Sequence, residues 1–309
     1  MTTTPTPGRG LLLVPSALLL VGGIAYGSMF SANKMAVDAG MPVMAYAFWQ
    51  ALFASAVLLG ASVLLRQPPQ VNVKTLRLFV MVAAMGLVGP LLVFASVADR
   101  VPPGVLTLIV ALIPATTYLL SLILRMDRFR WLSVAGVAVG FAGILLIVLP
   151  SGSLESSGAA LWVVFALLVP VFAAFNNMLG ERLTVPGVST LGLAGGMFSV
   201  ATVFLLIAML ASDGFVPITR AGANGIYAVL WATAAQTITY VSFFEIIRRA
   251  GGVFFALLNY VVVAAGLVWA NILFGEHLSL WVWLAVILVA ISLALMNIGT
   301  ARALKERQG

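Results

Sequence analysis

Charged residues interrupt this chain only at long intervals, and the stretches between them are almost wholly apolar. Ten stretches contain no Asp, Glu, Lys or Arg, namely 10–33, 39–65, 78–98, 101–124, 131–154, 156–180, 183–212, 221–244, 250–275 and 277–301. Each is long enough for the roughly 20 residues with which a helix crosses a 30 Å hydrocarbon layer. The alternating polarity of a barrel strand is missing from them. The pattern therefore predicts an all-α integral membrane protein of ten transmembrane helices, with the charges in short connecting loops.

Composition supports this prediction. Hydrophobic residues make up 62% of the chain and charged residues 8%, whereas a soluble domain has about a quarter of its residues charged. Lipid must therefore cover most of the surface. The first stretch is longer than the 7–15-residue core of a signal peptide, so we predict a retained span there.

The basic residues are distributed asymmetrically between the loops. If loops are numbered alternately, thirteen basic residues fall on the side of the N-terminus: Arg9, Arg66, Lys74, Arg77, Arg125, Arg128, Arg130, Arg182, Arg248, Arg249, Arg302, Lys305 and Arg307. Only Lys34, Arg100 and Arg220 fall on the other side, while the acidic residues divide four to five. A basic bias without an acidic one predicts an inner-membrane protein with both termini in the cytoplasm. Because the net charge of +7 is confined to such loops, no nucleic-acid partner is expected.

The two halves of the chain resemble each other at an offset of about 149 residues. Phe94 then aligns with Phe243, and an acidic turn residue, Asp127, aligns with Glu276. The turn-forming segment 150–153 predicts two five-helix repeats, residues 1–150 and 151–309. Because five is odd, the second repeat must enter the membrane from the opposite side. Inverted repeats of this kind build a site at their interface near the bilayer midplane.

Three segments carry a resemblance to a known family. Residues 26–34 begin with Tyr26 and Gly27 and end with Lys34, a spacing that resembles the first-helix signature of EamA-type transporters in the drug/metabolite transporter superfamily. A second signature combines a proline in the fourth helix, an acidic residue thirteen positions later, and a tryptophan and glycines in the fifth helix. The matching residues are Pro114, Asp127, Trp131, Gly136, Gly140 and Gly143. The segment 275–279 is similar to the Gly-Glu-Arg/Lys turn of the second repeat.

The resemblance covers roughly residues 15–298 and departs from the family pattern at three points. Met126 and Asp127 stand in place of Gly-Glu, Val263 stands where a proline would match Pro114, and Gln50 stands where many members carry an arginine. The resemblance implies a ten-helix inverted-repeat exporter of metabolites, with amino acids among the frequent substrates.

Polar and aromatic residues inside the spans are candidates for solute binding, because an unpaired polar group in lipid is costly unless it faces a cavity. The predicted substrate-binding residues are Tyr26, Phe30, Asn33, Phe94, Thr117, Asn176, Gln236, Tyr240, Phe243 and Asn259. Amides and hydroxyls can bond both an ammonium and a carboxylate, and rings pack on apolar groups. The alternative for each residue is a hydrogen bond that only holds two helices together.

The charged residues favour structural roles. Lys34 with Asp38, and Glu245 with Arg248 or Arg249, have the spacing of salt bridges at helix ends. No acidic residue falls in the middle of a predicted span, so a central carboxylate proton relay is not expected. The neighbouring Glu276 and His277 could sense protons or could simply form a helix-terminal turn.

The sequence therefore predicts a secondary transporter of small neutral or zwitterionic metabolites working by alternating access. With no cysteine and one histidine, neither a metal site nor a cofactor is expected, and an enzyme is disfavoured. A channel lacks a recognisable filter. A carrier of nucleotide sugars or phosphorylated sugars would need cavity-facing Lys or Arg, which the middle of the spans lacks.

Overall fold

The computed structural model describes residues 13–148, 159–182, 189–255, 257–275 and 279–308. Helices dominate these residues, and no strand occurs among them. The α-helices are α1 (Leu13–Asp38), α2 (Val43–Leu64), α3 (Val73–Ala83), α4 (Gly89–Val97), α5 (Pro103–Val110), α6 (Ile113–Ile123), α7 (Trp131–Val148), α8 (Ala159–Ala166), α9 (Leu168–Arg182), α10 (Thr190–Ser212), α11 (Gly222–Phe255), α12 (Leu258–Phe274) and α13 (Leu280–Gln308). A π-helical turn, Ala84–Val88, joins α3 to α4, and a 3₁₀ turn, Ile218–Ala221, precedes α11.

Several helices have the length and apolarity of membrane spans. Among the described residues six qualify outright: Leu13–Asp38, Val43–Leu64, Val73–Val97, Ala160–Met178, Leu191–Ser212 and Leu280–Arg302. The pair α5 and α6 qualifies as one span bent by 40°, and Trp131–Ile147 and Leu258–Phe274 are shorter apolar helices. The all-helical prediction is confirmed for this part of the chain, as is a multi-pass arrangement.

Helix α11 departs from the predicted loop positions. Its helical residues continue through Glu245 and Arg249, which we expected in a loop, as far as Phe255. A straight helix would separate Phe243 from Phe255 by about 18 Å, yet their ring centroids are only 4.5 Å apart. The end of α11 therefore folds back toward Phe243, and α12 begins at Leu258.

Two prolines account for two of the helix breaks. Pro114 lies at the second position of α6, and Pro170 at the third position of α9. A proline lacks the N–H that would bond the carbonyl four residues earlier, and its ring crowds that turn. The chain accordingly leaves helical geometry just before each proline, at residues 111–112 and at residue 167.

Helices that correspond between the two halves pack on corresponding partners. Helix α1 packs on α11 and α12, and in corresponding fashion α9 packs on α4 and α6. Helices α2 and α10, which correspond at the offset of 149, pack on each other, as do α7 and α13. Gly195 contacts Leu59 while Ser199 bonds Ser55, so higher numbers on α10 meet lower numbers on α2. Helices α2 and α10 therefore run antiparallel.

The relative direction of α7 and α13 follows from their contacts in the same way. Gly136 lies against Met296, whereas Gly143, two turns later, lies against Ala285. The two helices therefore also run antiparallel. The segment 150–153, where we predicted the boundary between repeats, and the turn at Glu276 and His277 lie outside the described residues.

Candidate functional site

Two buried glutamines join the halves of the protein. The Nε2 of Gln50 on α2 donates to the Oε1 of Gln236 on α11 across 3.2 Å, and the side chains are only 1% and 6% exposed. The Oε1 of Gln50 is buried without a hydrogen-bond partner. An unpaired buried acceptor costs about 1–3 kcal/mol, so this amide is poised to accept a donor from elsewhere.

A second polar junction forms at the π-helical turn. The hydroxyl of Tyr240 donates to the carbonyl of Gly86 across 3.3 Å. In an α-helix residue 90 would donate to that carbonyl, but Pro90 has no N–H. The amide of Asn176 also lies against Gly86, with its Oδ1 2.7 Å from where a Cβ at residue 86 would be. This Oδ1 is likewise buried without a partner.

The predicted aromatic residues make two sets of ring contacts. Tyr26 stacks on Phe30 with centroids 5.8 Å apart, and Phe30 meets the edge of Phe94 at 5.1 Å. Tyr240 meets Phe198 at 5.3 Å and Phe243 at 6.5 Å. The first group packs in one apolar cluster, whereas Tyr240 and Phe198 pack in another. The structure therefore brings the predicted aromatic residues together in two groups.

Three other predicted residues lie elsewhere. Asn33 is buried, and its Oδ1 accepts a hydrogen bond from the hydroxyl of Tyr46, which gives this amide a partner within the fold. Thr117 bonds the carbonyl of Ile113 at 2.8 Å and lies 3.4 Å from the amide of Asn177. Asn259 is half-buried in the first turn of α12.

Residue spacing does not single out Gly86 as a site residue, and it leaves Gln50 outside the site. A signal existed for Gly86, because Pro90 follows it by four residues and must weaken the helical bond to its carbonyl. Gln50 was noted only as a departure from the family pattern. Its pairing with Gln236 depends on how α2 and α11 pack, which residue spacing does not reveal.

The polar side chains buried among the described residues carry no charge. The buried polar side chains there are Ser28, Ser31, Asn33, Gln50, Ser55, Ser62, Thr75, Thr107, Thr116, Ser133, Thr233, Gln236, Thr239, Ser242 and Ser292. The ion pairs are partly exposed, with Lys34 3.5 Å from Asp38 and Arg249 2.6 Å from Glu245, as the spacing predicted. The junctions can therefore bind by hydrogen bonding but offer a ligand no buried counter-charge.

A cavity of about 760 Å³ lies apart from these junctions. It is lined by Val37, Val43, Ala95, Ser96, Asp99, Arg100, Leu161, Trp162, Val164 and Phe165. None of the ten predicted substrate-binding residues is in this lining. The cavity is therefore a separate feature of the surface.

Comparison with known proteins decides the family. The EamA-like transporter family matches the chain twice, over residues 14–149 and 160–298. The chain belongs to the EamA-like transporter family. The resemblance found in the sequence is thereby confirmed, and it makes the chain a multi-pass membrane protein of the drug/metabolite transporter superfamily with a small-molecule substrate.

Solved structures also resemble this EamA-like chain. Fifteen solved chains are similar to it. One of them, a crystal structure of a protein, superimposes with a TM-score of 0.60 and 22% sequence identity over 94% of this chain and 99% of its own. At that identity the similarity concerns the fold alone. No curated protein matches the chain.

Proposed function

We propose that this EamA-like protein is a secondary transporter that exports small neutral or zwitterionic metabolites, such as amino acids. The single observation that carries the proposal is a pair of amides, Gln50 and Asn176, whose oxygen atoms are buried and have no hydrogen-bond partner. Both lie beside a side chain of the proposed solute site, Gln236 for the first and Tyr240, through Gly86, for the second. A bound ammonium or amide group would supply the missing donors.

The uncharged interior favours this substrate class over phosphorylated ones. A phosphate needs Arg or Lys to neutralise it, and the buried side chains of the described residues include neither. A zwitterion brings its own opposite charges and needs only hydrogen-bonding groups oriented toward each end. A nucleotide-sugar or phosphorylated-sugar carrier is therefore the weaker alternative within the same superfamily.

The proposed architecture is ten transmembrane spans arranged as two inverted repeats. If α3–α4, α5–α6 and α8–α9 each make one span and the folded-back end of α11 joins α12, the helices group into ten. The antiparallel course of α2 with α10, and of α7 with α13, supports opposite insertion of the halves. With the basic loops inside, both termini lie in the cytoplasm of an inner-membrane protein.

Alternating access would move the two halves relative to each other around this site. Both polar junctions join one half to the other, Gln50 with Gln236 and Gly86 with Tyr240 and Asn176. A solute that takes over these hydrogen bonds would loosen contacts between the halves. Solute binding and rearrangement would thereby be coupled.

The test begins with a thermal-shift screen of the purified protein against amino acids and small drugs, followed by counterflow of each hit in liposomes. Gln236→Leu should weaken the affinity for the hit by about threefold to tenfold, the worth of one buried hydrogen bond. Ser55→Ala is the matched control, because Ser55 bonds Ser199 between α2 and α10 away from both junctions. Equal affinity in Gln236→Leu and wild type, or flux without saturation and counterflow, would refute the proposal.

A further inference from the structure

The 760 Å³ cavity is a groove between the end of α1, the start of α2, the end of α4 and α8. We call it the Arg100 groove, after the arginine at its polar end. Its position at the ends of four helices places it near one surface of the membrane. It shares no lining residue with the two amide junctions, so a ligand there is separate from the proposed solute site.

One wall of the Arg100 groove faces outward. Leu161, Val164 and Phe165 on α8 line it and are 71%, 49% and 39% exposed. Large apolar side chains that are exposed in a membrane protein are covered by lipid. The groove therefore opens sideways into the bilayer, and its apolar part is suited to an acyl chain.

The polar end carries one positive and one negative group in fixed positions. The Nη1 of Arg100 donates to the carbonyl of Ser96 at 2.8 Å and lies 3.4 Å from the Oδ1 of Asp99. The guanidinium carbon of Arg100 lies 4.2 Å from the ring centroid of Trp162, a cation–π contact that holds the planar group in place. Tryptophan is also typical of the boundary between lipid and water.

These contacts leave ligand-binding atoms available. Within the part of the chain that the structure describes, Arg100 bonds only through Nη1, so its Nε and Nη2 edge is open to a two-pronged interaction with a phosphate. The Oδ2 of Asp99 is open to accept from an ammonium. The side chains of Arg100 and Asp99 are 43% and 41% exposed, so a headgroup can reach both.

We propose that the Arg100 groove binds a phospholipid with a phosphoethanolamine headgroup. The phosphate lies on the free edge of Arg100, the ammonium donates to Asp99, and an acyl chain lies along α8. Phosphocholine carries the same charges but has no N–H to donate, and phosphoglycerol has no cation. The site therefore selects phosphoethanolamine over both.

The test is native mass spectrometry of the full-length protein, stripped of lipid in detergent and then supplied with phosphatidylethanolamine, phosphatidylcholine or phosphatidylglycerol of identical acyl chains. We expect about threefold more retention of phosphatidylethanolamine than of either other lipid, in line with one partly exposed ion pair. Asp99→Asn should abolish the preference over phosphatidylcholine. Arg100→Lys, which keeps the charge but loses the fork, should lower the retention of phosphatidylethanolamine.

Asp213→Asn is the matched control, because Asp213 is an exposed acid at the end of α10 outside the groove. It should leave the preference intact. Equal retention of the three lipids, or a preference that survives both groove variants, would overturn the proposal. So would displacement of the lipid by millimolar phenylalanine, since the groove would then hold a free zwitterionic solute. Thermal unfolding is measured to confirm that each variant is folded. If Arg100→Lys does not fold, the lipid preference of Asp99→Asn tests the proposal by itself.

Discussion

Helices α1 and α9 occupy corresponding places in the two halves but pack by opposite means. At the offset of 149 residues, Gly23 and Gly27 of α1 align with Phe172 and Asn176 of α9. The two glycines let α12 approach until a Cβ at Gly27 would lie 2.7 Å from the backbone nitrogen of Gly266. Helix α9 instead presents large side chains.

The glycines of the second interface lie on the partner of α9. The ring of Phe172 fits against Gly89, and the amide of Asn176 fits against Gly86. The positions corresponding to these glycines in α11 are Ala235 and Ile238. The glycines of α1 thus permit a close approach to α12, whereas α9 places its large side chains against glycines of the π-helical turn and α4, which correspond to α11.

The largest effect should come from Gly27→Ala. The atoms nearest to the added Cβ, the nitrogen of Gly266 and the carbonyl of Val262, belong to the backbone and cannot rotate away. We expect a loss of about 1–3 kcal/mol of stability from overpacking, measured by thermal unfolding in detergent.

Gly60→Ala is the control for Gly27→Ala. A Cβ at Gly60 meets nothing within 4 Å, so alanine should be neutral or stabilising by up to about 1 kcal/mol through helix propensity. Equal unfolding temperatures for the two variants would show that the backbones of α1 and α12 are not in close contact.

Gly86→Ala should have a smaller effect whose sign depends on Asn176. In the wild type the new Cβ would lie 2.7 Å from the Asn176 Oδ1, and displacing that side chain should cost about 1 kcal/mol. In an Asn176→Ala background the same change should be neutral or stabilising. The double-mutant cycle measures the coupling from unfolding temperatures. Additive effects would contradict the described contact between α9 and the π-helical turn.

Tyr240→Phe should have the smallest effect on stability. It removes only the hydroxyl that bonds Gly86 at 3.3 Å and leaves the ring contact with Phe198 at 5.3 Å. We expect about 0.5 kcal/mol, the lower end of the net worth of one hydrogen bond, in the same unfolding assay. Solute affinity should fall by more than stability does if the hydroxyl also contacts the solute. A variant that matches the wild type in both assays would remove Tyr240 from the site.

Local features of the fold could be predicted from the sequence wherever neighbours along one helix decide them. The pairs Lys34 with Asp38 and Glu245 with Arg249 lie one helical turn apart, and the structure contains both. The stacking of Tyr26 on Phe30 follows from the same spacing. The course of α11 could not be predicted this way, because its fold-back between Phe243 and Phe255 depends on contacts between distant residues.

The candidate site was predicted only in part for the same reason. Spacing identified Gln236 and Tyr240 as polar residues within a span, and both lie in the polar junctions. It also selected Asn33, whose amide oxygen is bonded by Tyr46 thirteen residues away on the next helix. An intramembrane amide looks the same in the sequence whether a neighbouring helix or a solute bonds it.

The sequence by itself determined that this chain is a membrane protein, which set of loops carries most of the basic residues, and which family the chain resembles. Those properties depend on the transfer of each residue from water and on local spacing, which add up along the chain. Tertiary structure alone decided that Gln50 meets Gln236, that Tyr240 and Asn176 converge on Gly86, and that Arg100 stacks on Trp162 in a separate groove. Such contacts depend on how closely helices approach one another, and at Gly27 and Gly86 the absence of a side chain permits that close approach.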